Sequence, residues 1–142
     1  MRLSLPRMAV VFLCFLPALA RPALPPFTTT ATGLQFVDMR PGRGKPPAAG
    51  QTCSLLYRGW LYNDKLRGPL FVAAQNPRQP FRFQLGQGKV VAGLDEGVKT
   101  MKAGAKRVLI VPSVLGYGDQ GSGDAVPPGS TLLFEVELLS FK

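Results

Sequence analysis

The sequence predicts a single α+β domain, in which an antiparallel sheet of about five strands packs one face against one short helix. A chain of 142 residues is too short for two independent cores. Apolar and polar residues alternate over residues 81–85 and 131–141, which is the pattern of strands with one buried face. From Val91 to Met101 the apolar residues instead recur every three or four positions, which predicts a helix with one buried side.

Strands and loops alternate before the helix. Residues 34–39 predict the first short strand, and residues 52–61, which are dense in β-forming side chains, predict the second. Residues 62–70 contain Asn, Asp, Gly and Pro, and they predict a connecting loop. A brief strand is expected over residues 71–74, before the alternating strand at 81–85.

The positions of glycine and proline, together with the density of apolar residues, predict the helix and the elements that follow it. The helix follows a glycine turn, should be about ten residues long, and is expected to end at Gly104 in a left-handed cap. Residues 106–111 predict a strand buried on both faces, because all but the first two are apolar. Residues 113–130 predict a long loop rich in Gly and Pro, and loops of that kind tend to be functional.

Residues 1–20 have the pattern of an export signal. Arg2 and Arg7 precede an apolar stretch over residues 8–16, and the segment ends in Ala-Leu-Ala. An apolar stretch of that length is too short to span a bilayer as a helix, so we expect no stable membrane span once the signal is removed. A retained membrane anchor is the alternative.

The export signal is followed by a short connection to the domain. Residues 21–32 are rich in Pro and Thr and show no periodicity, so they predict a disordered linker. Residues 33–142 are left as the folded domain.

The composition excludes several kinds of chemistry. Histidine is absent, which rules out histidine triads, imidazole metal ligands and histidine general bases. Cys14 lies in the export signal and Cys53 is the only other cysteine, so the domain can form no internal disulfide and no cysteine metal cluster. We expect Cys53 to be a small core residue, with a reactive thiol as the alternative. No metal or cofactor is therefore expected.

The chain is basic, with 17 Lys and Arg against 8 Asp and Glu and a net charge of +9. Such an excess would suit a nucleic-acid partner. The basic residues form no run of four or more, however, which favours a solvated basic surface. We therefore expect no nucleic-acid binding.

The remaining candidates for function are apolar side chains spread along the chain. Their periodicity alone indicates a hydrophobic core, and a ligand pocket is the alternative. The set consists of Tyr57, Phe71, Phe81, Phe83, Val90, Val91, Leu94, Tyr117 and Phe134.

Short motifs built around these residues occur in order along residues 32–142. They include Leu56-Tyr57-x-Gly59, Pro80-Phe81-x-Phe83-x-Leu85-Gly86, Val90-Val91-x-Gly93-x-Asp95-Glu96-Gly97, Tyr117-Gly118, Val126-Pro127-Pro128 and Leu133-Phe134-Glu135-Val136. With these motifs the sequence resembles the FKBP-type peptidyl-prolyl cis-trans isomerases, or rotamases, the immunophilins that bind macrolide drugs. The resemblance covers essentially the whole folded domain.

The resemblance implies a curled antiparallel sheet of about five or six strands wrapped around one short helix. It also implies an enzyme without a cofactor, expected to act as a monomer, that accelerates rotation about X-Pro bonds in proline-containing polypeptides. The catalytic positions that it implies are Tyr57, Phe71, Phe81, Tyr117 and Phe134, and the substrate-binding positions are Val90, Val91, Leu94 and Val126.

Two positions depart from the family's pattern. Leu94 occupies the place of a tryptophan at the pocket floor, and Val72 that of an aspartate after the first pocket phenylalanine. Leucine keeps the floor apolar but removes an indole N–H donor and contact area, and valine removes a polar group that orients its neighbours. We therefore expect weakened isomerase activity and weak macrolide binding.

A binding protein is the alternative to an enzyme. In that case the same groove, or the loop at residues 113–130, would hold partners as an assembly module for exported or lumenal proteins. The export signal predicts a non-cytosolic location in the secretory pathway, either the ER lumen or the exterior. The leucine at position 94 also resembles divergent members from the chloroplast thylakoid lumen, which is the alternative compartment.

Overall fold

A computed structural model of the chain describes residues 26–63 and 66–142. Within these ranges, seven strands form one antiparallel sheet, and one α-helix packs against its inner face. The predicted α+β class, with a sheet around a single short helix, is confirmed. The export signal predicted at residues 1–20 lies outside the described residues.

The sheet is built around one long central strand. On one side β3 pairs with β7 along most of its length, and on the other side it pairs first with β5 and then with β4. The order across the sheet is β1-β2-β6-β7-β3-β4. The strands are β1 (Thr28–Thr29), β2 (Gln35–Arg40), β3 (Thr52–Asn63), β4 (Leu66–Ala74), β5 (Phe81–Gln84), β6 (Lys106–Val111) and β7 (Thr131–Phe141).

The inner face of the sheet carries the hydrophobic core. Alternate residues of β3, among them Cys53, Leu55 and Tyr57, point to this face and are buried. Helix α1 (Ala92–Lys99) covers them with Leu94 and Val98. Cys53 is fully buried, so the prediction that it is a core residue is confirmed.

Strand β4 corrects the prediction of a loop over residues 62–70 and a brief strand over 71–74. Instead, β3 extends to Asn63 and β4 begins at Leu66, so the two strands form a long hairpin. The strand register shifts twice, between Gly59 and Trp60 and between Trp60 and Tyr62, so extra residues in β4 bulge out of the ladder. Turn-forming residues are tolerated there because β4 lies at the edge of the sheet.

Helix α1 is shorter than predicted. It has eight residues and ends at Lys99, with Thr100 as its C-cap, so Gly104 does not close it. Gly104 has φ +87° and donates its N–H to the Leu138 carbonyl in the turn before β6. The periodic pattern of apolar residues extends past the end of the helix because Met101 is buried although it is not helical. In the described part of the chain, no helix is long and apolar enough to cross a membrane.

Two glycines let α1 lie close to β6. A Cβ built on Gly93 would be 2.5 Å from Cγ1 of Val111, and one built on Gly97 would be 2.6 Å from Cδ1 of Leu109. Because real Cβ atoms do not approach other atoms so closely, any side chain at these positions would push the helix away from the sheet.

Arg107 joins the end of the helix to the sheet. It is 5% exposed, although its neighbours in β6 are mainly apolar. Its guanidinium donates to the Asp38 carboxylate at 2.7 Å, to the Gly97 carbonyl at 3.0 Å and to the Thr100 hydroxyl. The buried charge is therefore paired and hydrogen-bonded, as burial requires.

The N-terminal segment corrects the prediction of a disordered linker over residues 21–32. Thr28 and Thr29 form β1 and pair with β2. The Thr32 hydroxyl donates to the Glu96 carboxylate of α1, at 2.7 Å to Oε2. Two paired residues are too few to produce a periodic pattern, so the composition alone suggested a linker. The rest of the predicted linker, residues 21–25, lies outside the described residues.

A second, smaller apolar cluster lies on the outer face of the sheet. Trp60, Ile110 and Leu133 are each less than a tenth exposed, and Phe27 packs against them. The Arg67 guanidinium lies 4.1 Å from the centroid of the Trp60 ring, within the range of a cation–π contact. Trp60 therefore belongs to the face opposite the core and contributes nothing to the inner pocket.

Candidate functional site

Five aromatic side chains form a continuous row on the inner side of the sheet. Their ring centroids are 5.0 Å apart between Phe81 and Tyr57, and 6.2 Å between Tyr57 and Phe134. The row continues with 5.8 Å between Phe134 and Phe71, and 6.4 Å between Phe71 and Tyr117. All of these separations are typical of interacting rings. The structure thus brings together the five side chains predicted to be catalytic; their roles stay a prediction.

The row has a buried base and an accessible rim. Phe134 is 2% exposed and Tyr57 is 9% exposed, so the centre of the row is buried. Phe71 and Phe81 are half-buried, and Tyr117 is 37% exposed. A substrate would therefore meet Phe71, Phe81 and Tyr117 first and the other two rings below them.

The register of the central strands sets the position of the rings. Tyr57 comes from β3, and Phe134, in β7, pairs with Gly59 two residues further along β3. A Cβ on Gly59 would lie 2.8 Å from Phe134 and 2.9 Å from Phe71. Only glycine lets these rings meet, so Gly59 is a site residue, although the sequence analysis named it only as part of a motif and gave it no role. Its signal was a lone glycine inside an apolar strand.

The four predicted substrate-binding residues differ in accessibility. Val90 and Val91 are half-buried where the chain enters α1, and both pack against the core. Leu94 is 3% exposed and Val126 is 2% exposed. Val90 and Val91 are thus open to a ligand, whereas the other two lie within the core. The ninth apolar candidate, Phe83, is buried and stacks on Phe81 at 5.9 Å.

Two hydroxyl groups are available at the row. Burial, and to a smaller extent the nearby Tyr117, raises the pKa of the Tyr57 hydroxyl above its usual value. In residues 26–63 and 66–142, neither tyrosine hydroxyl is hydrogen-bonded to another side chain or to the backbone. The hydroxyl groups of Tyr57 and Tyr117 can therefore both donate a hydrogen bond to a polar group on a ligand.

The row provides a ligand with an apolar environment and two phenol hydroxyls, but none of its five side chains is a carboxylate, an amine or an imidazole. Val72, which packs against the core beside Phe71, is apolar, and the polar groups on the row itself are the two phenols. Within the described residues, no group of three or more His, Cys, Asp or Glu could hold a metal ion. The arrangement therefore suits reactions that depend on excluding water and on hydrogen bonding.

Stability is expected to fall at alkaline pH because two buried groups resist ionisation. Burial, together with the Asp95 carboxylate, raises the pKa of the Cys53 thiol, as burial raises that of Tyr57. The folded chain therefore holds these protons more tightly than the unfolded chain, and the stabilisation is complete only below the unfolded-state pKa values. The free energy of unfolding should be level up to about pH 8.5 and then decline, with tyrosine contributing above about pH 10.

Urea unfolding across this pH range measures the effect. Cys53→Ala should remove the first part of the decline and Tyr57→Phe the second, each changing the slope by up to about 1.4 kcal/mol per pH unit. A Cys53→Ala variant whose stability begins to fall at the same pH, and with the same slope, as the parent would contradict this prediction.

Comparison with known proteins identifies the family. The family described as FKBP-type peptidyl-prolyl cis-trans isomerase matches residues 44–139. An FK506-binding protein of Neisseria meningitidis serogroup B is 45% identical over 107 residues, which cover 75% of this chain and 94% of that protein. FK506-binding protein 1 of Dictyostelium discoideum is 39% identical over 110 residues, covering 78% of this chain and 99% of that protein.

A solved structure extends the similarity to three dimensions. The crystal structure of a peptidyl-prolyl cis-trans isomerase from Pseudomonas syringae pv. tomato matches with a TM-score of 0.72 and 32% identity, and the match covers 84% of each chain. Matches of this identity and extent show that the chain belongs to the FKBP-type peptidyl-prolyl cis-trans isomerases, a family of enzymes.

Proposed function

We propose that this chain accelerates rotation about X-Pro bonds in folding proteins at the aromatic row, with a rate reduced by Leu94 and Val72. The observation that carries the proposal is the row itself, in which Phe71, Phe81 and Tyr117 form an accessible rim over a buried base. A proline ring is apolar and compact, and it fits a surface of this kind.

The chemistry follows from the nature of the peptide bond. Rotation is opposed by about 18–20 kcal/mol because resonance gives the C–N bond partial double-bond character. The planar amide is more charge-separated than the twisted state, so an apolar surrounding favours the twisted state relative to the planar one. Aromatic walls supply that surrounding and hold the proline ring, and no proton needs to be removed.

The tyrosine hydroxyls supply orientation. The Tyr117 hydroxyl, at the accessible rim, is placed to donate to a carbonyl oxygen of the bound peptide. Such a bond holds the peptide in place while the X-Pro bond turns. Tyr57 lies deeper in the row, where burial raises its pKa still further above neutral pH, so its hydroxyl stays protonated and the base of the site stays uncharged.

The function is tested by measuring cis–trans exchange in a proline-containing peptide with the full chain, in an assay that uses no coupling protease. The uncatalysed reaction takes about 10–100 s, so acceleration is readily observed. We expect acceleration that rises in proportion to protein concentration. No acceleration by folded protein would overturn the proposal.

The reduced rate is tested by restoring the family's residues. Leu94→Trp and Val72→Asp should together raise kcat/KM by about 5-fold or more, equivalent to ~1 kcal/mol, because an indole donor and a carboxylate return to the pocket. Leu70→Trp, which adds the same indole at a site that is 52% exposed, is the matched control and should leave the rate unchanged. An unchanged rate in the double variant, with its fold intact, would show that these positions do not limit activity.

We propose proline-containing polypeptides as the substrates and expect macrolides to bind weakly. A binding role is a second candidate, because Val114 is 77% exposed in the short helix at Ser113–Leu115, at the start of the long loop. A Val114→Ser variant that loses a partner but keeps its rate would support that role.

We also propose that the protein works outside the cytosol, in the secretory pathway, with the thylakoid lumen as the alternative. The pattern of residues 1–20 supports this proposal. Sequencing the N-terminus of the mature protein from its native source would locate any cleavage and discriminate between the two compartments.

A further inference from the structure

A small pocket lies on the outer face of the sheet, at the corner where β3 separates β5 from the end of β7. Its volume is about 230 Å³. The lining residues are Thr52, Ser54, Arg82, Ser140, Phe141 and Lys142. We call it the Arg82 pocket. It is smaller than the range of about 300–1,000 Å³ typical of sites for drug-sized ligands, so it suits a small group.

The strand register brings the polar side chains of the pocket together. Ser54 pairs with Arg82 on β5 and also with Ser140 on β7. Thr52 and Lys142 exchange two main-chain hydrogen bonds, of 2.9 and 3.1 Å. Residues paired directly across strands point to the same face of a sheet, so all five polar side chains share the outer face.

The side-chain charge in this corner is one-sided. The ion pairs of the described chain use Arg40, Arg58, Arg67, Lys106 and Arg107, and none of them uses Arg82 or Lys142. None of the six described residues that line the pocket is acidic. Two cations and three hydroxyl groups thus surround a space in which every side-chain polar group can donate a hydrogen bond.

We propose that the Arg82 pocket binds a phosphate group. A phosphate carries about −1.5 to −2 charges near neutral pH and several strong acceptor oxygens, which match two cations and three hydroxyl donors. Arginine binds such an oxyanion through two parallel N–H groups, and lysine adds a point charge. A single carboxylate has one negative charge and would balance only one of the two cations.

The Arg82 pocket is separate from the aromatic row. Thr52 and Ser54 alternate along β3 with Cys53 and Leu55, whose side chains are buried in the core on the opposite face. Phosphate in this pocket should therefore leave the rate of proline isomerisation unchanged. Phosphate binding and isomerase activity can therefore be tested separately, and the absence of one does not imply the absence of the other.

The test is a titration of the isotope-labelled full chain with inorganic phosphate, followed by amide NMR shifts at a constant ionic strength of about 0.15 M. We expect saturable shifts centred on Thr52, Ser54, Ser140 and Lys142. Shifts that grow linearly without saturation, or that are spread over the whole basic surface, would overturn the proposal.

Charge-matched variants separate a site from general attraction. Arg82→Gln and Lys142→Gln should each weaken phosphate binding by about 5-fold or more, because each removes half of the cationic charge in the pocket. Arg78→Gln removes the same charge from an exposed position outside the pocket and should weaken binding by less than about 2-fold. Equal weakening in all three variants would show that only net charge matters.

A second titration identifies the source of the phosphate group. N-acetyl-phosphoserine amide, compared with inorganic phosphate, presents the same group on a peptide-like carrier. Tighter binding of phosphoserine would support the site and assign it to a phosphorylated partner, and tighter binding of inorganic phosphate would support the site and assign it to the free ion. Binding of N-acetyl-serine amide as tightly as of its phosphorylated form would overturn the proposal.

Discussion

Replacing Phe71 by alanine is expected to lower kcat/KM for proline isomerisation by about 10- to 50-fold, or ~1.4–2.3 kcal/mol of transition-state stabilisation. Phe71 touches Phe134 on one side and Tyr117 on the other, so the change separates Tyr117 from the other three rings. It removes apolar surface from the rim and lets water reach the base. An aromatic contact alone contributes about 0.5–1.5 kcal/mol beyond its buried area.

The matched control for Phe71→Ala is Leu70→Ala. Leu70 is the preceding residue of β4, is 52% exposed and takes no part in the aromatic row. Leu70→Ala should leave kcat/KM within about 2-fold of the parent, because an exposed side chain away from the site makes few contacts that its removal could disrupt. Equal activities in the two variants would place catalysis elsewhere. Circular dichroism before each assay verifies that both variants are folded.

Gly97→Leu is expected to reduce the free energy of unfolding by about 3 kcal/mol or more, at the upper end of what overpacking costs. The first atom of any side chain at Gly97 would already lie 2.6 Å from Leu109, and leucine adds three more carbons beyond it. The helix must then move off β6. Gly97 also supplies a carbonyl to buried Arg107, so the same movement breaks that hydrogen bond.

Ala92→Leu is the matched control for Gly97→Leu. Ala92 begins the same helix and is exposed, so leucine there meets solvent and should change stability by less than about 0.5 kcal/mol. Urea unfolding of the two variants provides the comparison. If Gly97→Leu unfolded at the same urea concentration as Ala92→Leu, the close approach of helix and sheet would be wrong.

Elements with a clear local pattern could be predicted from the sequence. Strands β6 and β7 and the inner side of α1 follow from the spacing of apolar residues, and the structure confirms them. The aromatic row was predicted through resemblance, because five residues from different parts of the chain have no local signal that they meet. Periodicity alone favoured a core, and Phe134 is in fact buried.

The features that were mispredicted or overlooked depend on contacts distant in sequence. The long strand β4 contains Gly68 and Pro69, two residues typical of loops. That this segment is a strand follows only from its pairing with β3. The roles of Gly59 and Gly97 depend on the rings and side chains opposite them, which a glycine in the sequence does not reveal. The end of α1 depends in part on Arg107, which donates a hydrogen bond to the carbonyl of Gly97, ten residues earlier in the chain.

The bulged edge strand β4 has a consequence for how this molecule resists aggregation. An unfolded chain readily adds itself to any exposed strand that offers a regular series of N–H and C=O groups. At β4 that series is interrupted, because Pro69 has no N–H and the register breaks twice. The β4 border of the sheet is in this way kept from pairing with extended segments of other polypeptides.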